Sequence, residues 1–246
     1  MATPQGVRSS FFNRLLLPFS IYAGSQFYPR RTYKRMKVFT LTSPANYDDI
    51  TLLKENNLTS NEFIRAWTSG LWNRSRLETA CPIRVVGHTR FENHMSAQNS
   101  ATTCRFLNEF PFDIINIDFI SQYPDSGSGY IENEINALEN TIKIQKQQEM
   151  NNSFVLMYST IPSSQNINCA LLKTNCDSIH CDNWIPLNIA GYANSVSTIQ
   201  DKLELIHDAL THLVRKYDLS IIRDFEHHHL VIGDNHFFSF VGIFRG

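Results

Sequence analysis

Asp118 stands where a carboxylate does chemistry, at the end of the apolar run Phe112-Asp113-Ile114-Ile115-Asn116-Ile117-Asp118-Phe119. A near-continuous run of this length reads as a central parallel strand covered on both faces. Ligands of open α/β sheets bind in the crevice outside the carboxyl ends of such strands, so an acid there faces a ligand. The competing role is local, a carboxylate that accepts backbone N–H bonds from the loop that follows. That loop, residues 121–130, contains Tyr123, Pro124, Gly127 and Gly129 and opens a helix, which suits a lid over the crevice or an anion contact. It lacks the lysine and the spacing of a P-loop, which argues against a nucleotide hydrolase of that class.

Two other clusters invite chemistry. Cys169, Cys176, His180 and Cys181 offer thiolates and an imidazole, but without the Cys-x2-Cys knuckle of a zinc site. Adjacent His180 and Cys181 also have difficulty turning toward one ion, so free thiols in a loop are expected and no metal site. His227, His228 and His229 fall in a predicted strand. A period of two puts His227 and His229 on one face and His228 on the other, which predicts polar residues at a sheet margin. No Gly-x-Ser-x-Gly, His-Glu-x-x-His or paired Cys/His spacing occurs.

The elements that must position these groups alternate. Strands are predicted over 37–41, 63–67, 83–87, 112–119 and 154–158, from β-branched and aromatic composition. Helices are predicted from Asp48, over 71–80, over 95–110, and from Ile131, where Ile135, Leu138 and Ile142 extend one apolar stripe. Ser197 and Gln200 read as a capping box for a further helix, striped by Ile199, Leu203, Ile206, Leu210, Leu213 and Tyr217. Residues 228–232 and 237–244, joined by Gly233-Asp234-Asn235, form a hairpin signal. The predicted fold class is α/β: a doubly wound, mostly parallel sheet with helices on both faces and a C-terminal antiparallel β-hairpin. Its last strand is expected to run antiparallel beside 154–158.

The chain of 246 residues suits one domain of residues 36–246 with a basic, aromatic N-terminal extension over 1–35. With 42% hydrophobic and 18% charged residues it is neither a disordered tail nor a fibre. No run of about 20 apolar residues occurs, so no membrane is expected. Five cysteines, an odd number, and no secretory signal point to reduced thiols in a cytoplasmic protein. The net charge of −1 conceals an asymmetry: the first 46 residues carry seven basic side chains and no acid. Two readings of this arm stand. Arg30, Arg31, Lys34 and Arg35 can dock a nucleic acid or a protein partner. Alternatively, Phe11, Phe12, Phe19 and their neighbours pack on the body while the cations are solvated.

The order of elements and the Phe-Asp-aliphatic strand ending in Asp118 resemble the class I S-adenosylmethionine-dependent methyltransferases over roughly residues 36–246. The resemblance implies that S-adenosylmethionine lies against Thr42, Ser43, Trp67, His88, Glu92 and Asp118, with Asp118 also the catalytic candidate. It implies either an active methyltransferase, acting on or bound to nucleic acid, or a degenerate descendant serving as a binding or assembly module. Departures from the family pattern are plain. The turn Leu41-Thr42-Ser43-Pro44-Ala45-Asn46-Tyr47 contains no glycine, and Trp67 replaces an acid that would accept hydrogen bonds from ribose.

Overall fold

A computed structural model describes residues 4–27, 35–45, 47–96, 106–121, 131–148, 153–161 and 199–246. Seven strands form one sheet: β1 (Val38–Leu41), β2 (Ile64–Trp67), β3 (Arg84–Gly87), β4 (Ile114–Asp118), β5 (Ser153–Thr160), β6 (Ser220–Ile232) and β7 (Asn235–Arg245). Their order is β3-β2-β1-β4-β5-β7-β6. The first five run parallel, and β7 pairs antiparallel with both β5 and β6. Phe154 faces Phe244 and Tyr158 faces Phe240, as expected for a hairpin strand closing the parallel set. Every residue of β4 is buried, in keeping with its apolar composition.

Helices cover both faces. Phe39, Trp67, Ile115, Leu156 and Phe240 point into one core, with Phe91 and Met95 of α5 (Phe91–Ser96), Leu138 of α6 (Ile131–Gln147) and Leu210 of α7 (Ile199–Lys216). Val38, Ala66, Ile114, Met157 and Val241 point into the other, beneath α3 (Asp48–Glu55) and α4 (Leu71–Ala80). The remainder of that second face is covered by the N-terminal segment. It comprises α1 (Pro4–Phe11), a π-helical turn at Phe12–Leu16, and α2 (Leu17–Phe27). Phe11, Phe12 and Phe19 are at most 1% exposed, so residues 4–27 complete the same core. The aromatics of residues 4–27 thus pack on the body, but Arg8, only 4% exposed, is not solvated as that reading expects.

The helical run continues through Pro18. This residue lies in the first turn of α2, where its missing N–H is not needed, and the π turn before it closes with Leu17 N–H on Phe12 O. The helix expected over 95–110 begins earlier, at Phe91; residues 91–96 and 106–107 are helical, and residues 97–105 lie outside the described residues. Residues 122–130, Arg30, Arg31, Lys34, Ser197, Cys169, Cys176, His180 and Cys181 lie outside the described residues. Among the described residues, no helix is long and apolar enough to cross a membrane.

Candidate functional site at the carboxyl ends of the strands

Parallel pairing aligns the ends of β1 to β4 along one margin of the sheet. Leu41 pairs with Trp67, Trp67 with Gly87, and Thr40 with Asn116. Thr42 and Asp118 each lie two residues beyond the Thr40–Asn116 pair. The neighbours β1 and β4 also mark the point where the chain reverses its direction of travel across the sheet, which is where open α/β sheets form their ligand crevice.

A buried polar network occupies that point. Asp118 and Asp49 are both fully buried. Asn116 Nδ2 donates to Asp49 Oδ2 at 3.0 Å and to Thr40 Oγ1 at 3.2 Å, and Thr40 Oγ1 in turn donates to Asp49. Arg8, reaching in from α1, donates through Nε to Asp118 Oδ2 at 2.5 Å, and Ile120 N–H donates to Asp118 Oδ1 at 3.1 Å. The local reading of Asp118 as an acceptor for the following backbone is thus realised on one oxygen, with a guanidinium on the other. Burial pushes both carboxyls above the ordinary range, while the charge of Arg8 pulls each back down. Asp49 Oδ1 and Asn116 Oδ1 are buried acceptors without a hydrogen-bond partner among the described residues. Such atoms are costly in a core and are usual where a ligand donates.

Asp49 and Arg8 escaped the sequence reading. The one signal for Asp49 was Asp48-Asp49 in the first turn of a helix, a normal place for acids beside the helix dipole. Arg8 had none, because its partner lies 110 residues away.

The remaining candidates fall in different surroundings. Thr42 is buried, and its N–H donates to Trp67 O at 2.9 Å. Ser43 follows, half-buried, in the turn. Trp67, expected to face the cofactor, is instead fully buried among Phe91, His94 and Phe106, with Nε1 on Thr89 O at 2.7 Å. Gly87 packs against this ring so closely that an added Cβ would meet it at 2.3 Å. Trp67 therefore wedges the aromatic core and leaves no face for a ligand to stack on. Glu92, on the first turn of α5, is only 3% exposed, a buried carboxylate close after β3. His88 opens onto a cavity of about 340 Å³ shared with Arg74, Arg84, Val86 and Glu109. At about 4.8 Å per strand step, a ligand touching both Asp118 and His88 must span roughly 14 Å.

No family profile and no curated protein matches the chain in sequence. Solved structures that overlap it include two described by their ligand or reaction. The plantazolicin methyltransferase BamL, in complex with a triazolic desmethylPZN analogue and SAH, is 9% identical at a TM-score of 0.45, covering 94% of this chain and 83% of its own. CrArsM, an arsenic(III) S-adenosylmethionine methyltransferase from Chlamydomonas reinhardtii, is 8% identical at a TM-score of 0.39, covering 92% and 73%. Overlaps this loose transfer neither residues nor activity. The mostly parallel α/β architecture rests on the sheet itself.

Proposed function

We propose that the chain is a methyltransferase-like protein that holds S-adenosylmethionine across the carboxyl ends of β1 to β4. One observation carries the reading: Asp49, Asn116 and Asp118 gather at the β1/β4 switch point, with the buried acceptors Asp49 Oδ1 and Asn116 Oδ1 unpartnered among the described residues. These acceptors suit the ammonium and hydroxyl donors of that molecule. Thr42 and Ser43 would contact it beyond β1, and His88 and Glu92 beyond β3.

When bound, S-adenosylmethionine supplies an electrophilic methyl group. The chain itself supplies position and charge. Arg8 fixes Asp118 and adds a cation beside Asp49, and both carboxyls are withdrawn from water, where each charge acts more strongly. Asp118 is an orienting group here, since both its oxygens are already engaged.

The test is calorimetric titration of the full chain with S-adenosylmethionine and S-adenosylhomocysteine, alongside Asp49→Asn. Binding in the wild type and a tenfold or greater loss in the variant, about 1.4 kcal/mol, are expected for a charge-assisted contact. No heat at millimolar ligand would overturn the reading.

Trp67 favours a second reading. Its indole sits in the core where the methyltransferase pattern places an acid, which suits a degenerate module that has kept the sheet and lost ribose recognition. Such a module would dock a nucleic acid or a partner protein through Arg30, Arg31, Lys34 and Arg35. Nucleic-acid affinity should then fall steeply with salt, and alanine at these four positions should flatten the log–log slope by about three units. Salt-independent or absent binding would remove nucleic acid from the account.

A further inference from the structure

The β6–β7 hairpin brings together two histidines that are seven residues apart in the chain. His229 Nε2 lies 2.9 Å from His236 Nδ1, with ring centroids 5.2 Å apart and planes at 24°. In register, His229 faces Phe238 and His236 faces Val231, so the two form a diagonal pair on one face. Phe238, edge-on to His229 at 4.8 Å, buttresses that ring. His228, on the opposite face, packs against Phe11 and meets Arg14 at 3.2 Å. Both members of the diagonal pair are half-buried, and Asp234 in the adjoining turn and Asn235 at the start of β7 are exposed, so solvent reaches the site.

The contact is an N–H···N bond in which one ring donates and the other accepts. Its length also suits a different occupant. Two imidazole nitrogens bound to one ion at about 2.0–2.1 Å, at a right angle, stand about 2.9 Å apart. Right-angle donor pairs occur in octahedral and tetragonal complexes, and of the first-row divalent ions that form them Ni²⁺ and Cu²⁺ bind imidazole most tightly. A tetrahedral ion would require the nitrogens to separate to about 3.3 Å.

We propose that His229 and His236 form a surface site for a divalent transition-metal ion of tetragonal preference, Cu²⁺ or Ni²⁺. The protein supplies two cis nitrogens and water fills the other positions. Each ring turns its lone pair toward the ion. The N–H···N bond is lost and two N–metal bonds form; the ring that held the bridging proton gives it up at that nitrogen and takes one from water at its other nitrogen, so both imidazoles bind neutral. The paired strands hold the two residues in place, so little order is lost on binding. The site owes nothing to the proposed cofactor crevice.

The experiment titrates the full chain with NiCl2 by calorimetry and with CuCl2 by electron paramagnetic resonance. His229→Gln, His236→Gln and His228→Gln are compared with the wild type. All three are surface positions, and circular dichroism melting checks the fold of each. The expected result is micromolar Ni²⁺ binding, weakened tenfold or more by His229→Gln and by His236→Gln and unchanged by His228→Gln. The Cu²⁺ spectrum should show two coupled nitrogens, reduced to one in either weakened variant. Wild-type affinity in His229→Gln or His236→Gln would overturn the proposal, as would an absence of Ni²⁺ binding at millimolar concentration.

Discussion

Two carboxylates are buried at the carboxyl ends of adjacent strands, and the chain satisfies them by different means. Asp118, ending β4, takes a guanidinium from Arg8, 110 residues away. Glu134, on α6, accepts from Tyr158 Oη and Thr160 Oγ1 on β5, each at 2.7 Å and only 24 and 26 residues distant. Two neutral hydroxyls from one strand meet the same oxygen of Glu134, which sits between two elements that follow one another in the chain. Asp118 shares its surroundings with Asp49, and two neighbouring buried carboxyls call for a cation. A helix from the far end of the sequence provides it, and that helix and the π-helical turn after it also bring Phe11 and Phe12 onto the sheet. Structure and site are thus joined at Arg8 and remain separable at Glu134.

The largest expected effect comes from removing that cation. Arg8→Met should destabilise the fold by about 3–5 kcal/mol, since it leaves buried carboxylates uncompensated. Urea denaturation measures the loss. Adding Asp118→Asn should restore much of it, and an additive double mutant would show that the ion pair is not the cause. The deficit should also shrink as pH falls. Both carboxyls have raised pKa values in the folded state, so that state binds more protons than the unfolded chain once pH drops toward the carboxylate range.

Removing one donor to Glu134 should cost less. Tyr158→Phe is expected to lose about 1.5–3 kcal/mol, the worth of a hydrogen bond to a charged group, because Thr160 still holds the same oxygen. A loss equal to that of Arg8→Met would erase the contrast between the two sites. Gly87→Ala should cost about 1–3 kcal/mol through overpacking on Trp67, with a near-ultraviolet dichroism change from the displaced indole. An unchanged indole signal would mean that the aromatic core is looser than its contacts indicate.

The smallest effect is a pH dependence with the opposite sign. Burial holds His94 and His212 below their ordinary value of 6.5, and the Lys216 cation adds to the effect on His212. The unfolded chain therefore takes up protons near pH 6.5 that the folded chain refuses. Stability should be complete above about pH 6.5 and fall below it. Melting temperatures measured between pH 8 and 5.5 should decline, and His94→Phe should reduce the slope. A flat profile would remove these two residues from the balance.

Much of the fold was legible because it depends on local pattern. The apolar run ending in Asp118 announced a central strand, and Gly233-Asp234-Asn235 between two apolar segments announced the hairpin. Side-chain period and turn chemistry act over a few residues, and one sequence displays them directly. The site was less legible. Asp118 could be placed at a strand end, but not its partner. Trp67 looked exposed to a ligand because strand position does not reveal that Phe91 and Phe106 close over it.

By itself, then, the sequence determined the alternation of strands and helices, the antiparallel last strand, and which residues stand at the carboxyl margin of the sheet. The tertiary structure alone decided that residues 4–27 complete the second core, that Arg8 reaches Asp118, and that His229 meets His236 on the diagonal. The physical reason is the range of the interactions. Hydrophobic period is written within each element, whereas ion pairs and ring contacts depend on how separate elements dock, and docking is settled only when whole apolar faces are buried together.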